Sequence, residues 1–156
     1  MTSGDTQIKY DHSMLGVEYD VGPFPVTRDM IVDFALSTGE TDPRYLDEVS
    51  SPDSEHCEII APPTFCNVFS LGVERPDIKL DFGDLDFFAG QSIECLAPVR
   101  PGDTIYGTTK LKTVYPKTGR SGMMVFAVWQ TNLMNQAGEM VALVEESYVR
   151  RKRGKE

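Results

Sequence analysis

Several things are scarce in this sequence. Among 156 residues there are two histidines, His12 and His56, and three cysteines, Cys57, Cys66 and Cys95. An odd cysteine count without paired spacing argues against a disulfide framework or a thiolate metal site, and suits reduced thiols in the cytoplasm. Basic residues number 15 against 24 acidic ones, a net charge of -9. That argues against nucleic acid as a partner, because phosphates demand a basic face. No apolar run approaches the roughly 20 residues of a membrane span. The segment Met1 to Asp5 carries neither the basic region nor the apolar run of a signal peptide. There is no internal repeat and no low-complexity segment. What remains is one acidic, cytoplasmic domain over residues 1–156, large enough to bury a core without staples.

What is present divides into a mixed first half and a strand-rich second half. Residues 1–15 are polar and aperiodic and read as a loose arm, with His12 on its surface. Val17 to Val26 alternates weakly around Pro23 and Pro25, which suits an edge strand or an extended entry segment. Thr27 is a plausible N-cap, with Asp29 at the positive end of the helix dipole. Met30, Ile31, Phe34 and Ala35 then share one helical face. Residues 47–58 are acidic and serine-rich, read as a mobile loop holding His56. After Pro62 and Pro63, which suit a helix start, residues 65–73 are apolar around most of the cylinder, as a helix enclosed by the domain would be. Cys66 there reads as a small core residue. The second half reads as strands over residues 85–96, 105–113, 123–133 and 140–149, with a hairpin loop at 115–122 and a basic tail at 151–156. One buried helix followed by about four antiparallel strands is an α+β layout, a curved sheet around a helix, and its free edge predicts dimerisation.

The stretch that concentrates polar groups is Phe34 to Leu46. A helix face ends at Gly39, a residue suited to the left-handed position of a C-terminal cap. Glu40, Asp42 and Tyr45 follow within one turn of chain, and Pro43 keeps Asp42 out of the helical region.

This stretch resembles the Gly-Asp-x-Asn-Pro-x-His motif of the MaoC-like dehydratases. Three further stretches support the resemblance: Ala61-Pro62-Pro63-Thr64-Phe65, Pro98-Val99-Arg100-Pro101-Gly102-Asp103, and Tyr115 to Gly122. Their order and spacing are most similar to the FAS1-like N-terminal dehydratase branch. The resemblance implies a hot-dog fold that handles acyl thioesters of coenzyme A or acyl carrier protein, with no cofactor of its own. It implies interconversion of 2-enoyl and (R)-3-hydroxyacyl groups, in which an Asp and a His activate water and manage a proton. A backbone amide near Thr64 or Phe65 would hold the thioester oxygen.

Each catalytic position of that motif is changed here. Glu40 stands for the Asp, Asp42 for the Asn and Tyr45 for the His, while Phe88 replaces a second His before Ala89-Gly90-Gln91. A phenol of pKa ~10 is a poor base near neutrality compared with an imidazole of ~6.5. The resemblance therefore implies a degenerate subunit that shapes a substrate tunnel beside a catalytic MaoC-like chain, as a homodimer, heterodimer or heterotetramer. Phe65, Phe69 and Phe88 are candidates for an acyl pocket or for core. Arg100 and Arg120 are candidates for coenzyme A phosphates, or plain turn arginines. The alternatives are a stand-alone acyl-CoA-binding module and a weak hydratase using Glu40. Thioester hydrolysis is disfavoured because residues 62–71 carry no carboxylate.

Overall fold

The computed structural model describes residues 7–46, 58–71, 73–120 and 122–153. Most of the acidic loop, including His56, lies outside them. Five strands, β1 (Glu18–Pro25), β2 (Leu85–Cys95), β3 (Thr104–Gly119), β4 (Gly122–Met134) and β5 (Met140–Arg151), form one sheet. Its order is β1-β3-β4-β5-β2, and every pairing is antiparallel. β2 is thus not the first strand of a simple meander. The chain crosses the sheet before β2, which pairs with the last strand at the far edge. The other edge is β1, as its prolines led one to expect.

β4 is central, and Val125, Trp129 and Leu133 along it are buried. Ile105 and Leu111 on β3 and Val141 and Val144 on β5 are buried beside it. Two layers cover this face. At one end sit the helical segments, whose Phe65 and Phe69 are fully buried and meet edge to face at 5.5 Å. Burying one such ring stabilises by roughly 1.5–3 kcal/mol. At the other end Leu111, Ala127 and Trp129 pack against Met14, Ile78 and Leu80.

α1 (Arg28–Ser37) starts where Thr27 Oγ1 accepts the Met30 amide at 3.2 Å. It ends at Gly39, whose φ of 77° is in the left-handed region. The Glu40 amide bonds Ala35 O at 2.9 Å and the Gly39 amide bonds Leu36 O at 3.1 Å, the paired bonds of a Schellman cap. α2 (Pro43–Leu46) is a single turn. The buried helix is shorter than expected. A 3₁₀ turn, Pro63–Cys66, runs into α3 (Asn67–Ser70), and Leu71 is extended and 76% exposed. Cys, Asn, Val, Phe and Ser are all modest helix formers, so packing of Phe65 and Phe69, not propensity, holds this piece.

Two other expectations need correction. Residues 115–119 are not hairpin loop but the end of β3, with Pro116 opposite Val125. β1 pairs with β3 only as far as Lys110, so β3 is an edge at Pro116 and its missing N–H is not needed. Tyr115 also stacks on Phe126 at 5.3 Å, a cross-strand contact that extends the pair. The segment read as a loose arm is packed from Lys9 onward. Lys9 O accepts the Asp81 amide at 2.9 Å, the Asp11 amide donates to Ile78 O at 2.8 Å, and Met14 is buried. At the other terminus Arg151 still belongs to β5, paired with Leu85 and Met124. No helix among the described residues is long and apolar enough to cross a membrane.

Candidate active-site cleft

The Schellman cap of α1 delivers the chain directly into α2. Asp42 Oδ1 accepts the Arg44 amide at 2.9 Å, capping the turn, and its carboxylate binds the Arg44 guanidinium with Nε at 3.0 Å and Nη2 at 2.7 Å. The Arg44 side-chain hydrogen bonds, followed by its backbone amide, hold the Asp42 carboxyl below the usual carboxylate range. Arg44 also lies over the Tyr45 ring, 5.5 Å from its centre, and Arg44 O accepts the Ile60 amide at 3.0 Å. The loop is thereby tied to the strand-like approach of the buried helix. That approach is tied in turn to residues 95–99, because the Ala61 amide donates to Val99 O at 2.8 Å.

These ties enclose a cleft of about 260 Å³ lined by Tyr45, residues 60–63, Cys66 and residues 95–99. Among the described residues its walls hold no carboxylate, imidazole, ammonium or guanidinium. The Tyr45 phenol and the Cys66 and Cys95 thiols are the titratable groups among its described lining residues. Burial pushes the Cys66 thiol up to about 12, and the neighbouring Cys95 adds to the shift. Burial also raises the Cys95 thiol, which donates to Pro63 O at 3.2 Å. Neither environment favours a thiolate nucleophile.

The structure brings some of the sequence-derived candidates together and separates others. Tyr45 lines the cleft. Glu40 is half-buried one turn earlier, its backbone fixed by the cap, and is not among the lining residues. Thr64 is exposed on the 3₁₀ turn, between the lining residues Pro63 and Cys66 but not itself one of them, while the Phe65 amide donates to Pro62 O at 2.9 Å. The Phe65 and Phe69 side chains lie in the core, against Phe34 and Phe24. Arg100 adjoins the lining residue Val99, in a turn where its amide donates to Asp103 Oδ2 at 2.8 Å.

Phe88 and Arg120 lie elsewhere. Cys95, Ala142, Leu133 and Gly107 form one row across the sheet, whereas Leu85, Arg151, Met124 and Lys117 form another. Ten residues of β2 separate them, roughly 33 Å at ~3.3 Å per residue. Phe88 is 51% exposed nearer the second row, edge-on to Tyr148 at 5.6 Å, and Arg120 is in the turn beyond it. What the sequence reading missed is the wall made by residues 95–99. Its signal was a strand running directly into Leu96-Ala97-Pro98, a short apolar run. Among the described residues no group of three or more His, Cys, Asp or Glu side chains could hold a metal.

Known proteins fit this geometry. A sequence model of the FAS1-like dehydratase domain region matches residues 13–144. A UPF0336 protein of Streptomyces griseus is 30% identical over 139 residues, covering 84% of this chain and 88% of that one. A MaoC-like dehydratase from Rhodospirillum rubrum superposes with a TM-score of 0.64 at 24% identity, over 90% of this chain and 94% of that one. A C-terminally truncated HadBC complex, a 3R-hydroxyacyl-ACP dehydratase of Mycobacterium tuberculosis, superposes with a TM-score of 0.69 at 20% identity, over 89% of this chain and 98% of that chain. With its antiparallel sheet wrapped on a short buried helix, and with the family sequence pattern over most of its length, the chain belongs to the FAS1-like, MaoC-related dehydratases of hot-dog fold.

Proposed function

We propose that this chain is the substrate-holding, catalytically degenerate subunit of an (R)-specific 2-enoyl-thioester hydratase/dehydratase. The observation that carries the reading is the cleft itself. The family's loop reaches it, but the group the loop presents there is Tyr45, and among the described residues no acid–base pair faces the cavity. Loss of a positioned base costs on the order of 10²–10⁴ in rate.

The rest of the site suits binding. The walls are apolar, as an acyl chain requires. The amide of Thr64, next to the lining residue Pro63, is the donor we assign to the thioester oxygen, because neither proline can donate and the Phe65 amide is taken by its own turn. Asp42 serves the loop through Arg44, which leaves Glu40 as the one loop carboxylate able to act. Arg100, beside the mouth, is the better placed arginine for a coenzyme A or carrier phosphate.

A volume of about 260 Å³ falls below the ~300–1,000 Å³ usual for ligand sites. A partner that completes the cavity accounts for the shortfall. The HadBC complex offers a relative in which two such chains assemble. β2, eleven residues long and an open edge of the sheet, with Phe87 and Phe88 exposed along it, is the surface we assign to the partner.

The test is reconstitution. The purified chain should co-elute with a MaoC-like chain that keeps the Asp and His, and the pair should hydrate a 2-enoyl-CoA that this chain alone leaves unchanged. A chain that forms no complex with such a partner yet binds acyl-CoA tightly by calorimetry would instead be a stand-alone binding module.

A further inference from the structure

The end of the sheet remote from the cleft holds a second cavity, unconnected with the reading above. Residues 74–84 cross the inward face there without regular structure, as a strap. Three successive inward side chains of β5 hold it. Glu146, only 5% exposed, forms an ion pair with Arg75; Tyr148 Oη accepts from Arg75 Nη1 at 2.9 Å; Arg150 Nη1 donates to Leu80 O at 2.6 Å. The strap's end is fixed at Gly83, where any Cβ would meet the backbone of Arg151 at 2.5 Å and φ is +67°. Between strap and sheet lies a cleft of about 210 Å³. Val125, Ala127 and Trp129 of β4 line it from below, Tyr148 from the side, and Ile78 and Leu80 from the strap.

Arg75 lines the same cleft, with its guanidinium 5.7 Å from the centre of the Trp129 ring and 5.4 Å from that of Tyr148. Its Nη atoms are committed to Glu146 and Tyr148, whereas its Nε is buried and has no hydrogen-bond partner among the described residues. A buried N–H without an acceptor forfeits its hydration with nothing in return, most of all on a charged group, so native structures rarely leave one unexplained. The charges around the cleft already balance. Arg75 is matched by Glu146, and Arg150 by Asp86 with Nε to Oδ1 at 2.5 Å and Nη2 to Oδ2 at 2.9 Å. An anionic ligand would leave that set one negative charge in excess; a neutral acceptor would not.

We propose that the space beneath the strap is a ligand site for a small, uncharged molecule with a ring-sized apolar body and one carbonyl or ether oxygen, which accepts from Arg75 Nε. The volume, below the ~300 Å³ of ordinary drug-sized sites, limits the ligand to about one ring.

The chain carries its own reporter, since Trp129 is its one tryptophan. Titrating the full chain with cyclohexanone should change Trp129 emission saturably. Methylcyclohexane, of the same size without the oxygen, should bind about tenfold or more weaker, the least that a hydrogen bond to a charged donor is worth. Ala127→Phe should abolish both responses by filling the floor. Arg75→Lys keeps a cation for Glu146 but removes the Nε–H, and should collapse the preference for the ketone while leaving the hydrocarbon's affinity unchanged. Circular dichroism checks that each variant is folded, and if Ala127→Phe is not, the Arg75→Lys comparison decides. No saturable response to the ketone, as when an ordered water alone satisfies Nε, overturns the proposal. Equal affinity for ketone and hydrocarbon in the unmodified chain overturns it too.

Discussion

The two ends of the inward sheet face make opposite use of polar groups. At the Tyr45 end, where the family's motif leads one to look for chemistry, the described residues of the cavity wall carry no formal charge and the nearby carboxylate Asp42 is spent on Arg44. At the strap end a carboxylate and a guanidinium are buried together against Trp129 and Tyr148. Buried charge in this molecule therefore does not mark the family site. It marks the place where an irregular segment must be held against the sheet, and where directional bonds do what a helix's apolar stripe does at the other end. A charged pair of this kind is weak evidence for stability, but breaking it from one side is costly, because the survivor is left buried without its partner.

The sharpest way to break the comparison is to remove the anchor at each end. Arg75→Met alone should destabilise by about 3–5 kcal/mol, while Arg75→Met with Glu146→Leu should recover most of that loss. Phe65→Ala, at the opposite end, should cost about 3–5 kcal/mol with no partner able to rescue it. Denaturant unfolding of the single and double variants measures both. The cleft cysteines supply a third contrast. With the Cys66 thiol raised to about 12, its thiolate should be about a thousandfold scarcer than at the ordinary value of 9.0. Mass-spectrometric mapping of iodoacetamide labelling should therefore find exposed Cys95 modified well before Cys66 in the folded chain. The linked sign is definite. The fold prefers the neutral thiol, so the stability Cys66 contributes is complete below pH 9.0 and is lost as pH rises from there through about 12. Smaller again, Thr27→Ala should cost about 1 kcal/mol by removing the cap on the Met30 amide. Tyr45→Phe should change stability by less than about 0.5 kcal/mol, as expected if its hydroxyl serves a ligand and not the fold.

The legible parts of the sequence were those in which local chemistry and tertiary packing agree. Thr27, Asp29 and Gly39 bound α1 by their own preferences, and the unbroken apolar character of residues 123–133 marks a central strand. The buried helix was over-read because apolar residues continue through Leu71 while the backbone turns extended there, and apolarity alone does not distinguish a helix from the start of a strap. The hairpin loop expected over residues 115–122 was too wide because Gly119 and Gly122 mark only the turn itself, while Pro116 is tolerated in β3 because β1 ends early. The loop's altered motif could be read in full from Glu40, Asp42 and Tyr45. The service of Asp42 to Arg44 could not, since an Asx cap and a ligand-binding carboxylate look alike until the guanidinium is placed. The Arg75–Glu146 pair had one signal, a glutamate at an inward position between Val144 and Tyr148, and nothing in the local sequence identifies its partner 71 residues away.

The central claim is that the loop has kept its shape and lost its base. It is tested most directly by the hydration rate of a 2-enoyl-CoA with the purified chain alone, alongside Glu40→Gln. The account predicts that both proteins leave the substrate at its uncatalysed rate, with turnover appearing only when a catalytic MaoC-like partner is added. Turnover by the chain alone at the rate of an ordinary hydratase, abolished in Glu40→Gln, would contradict it and return the chemistry to Glu40.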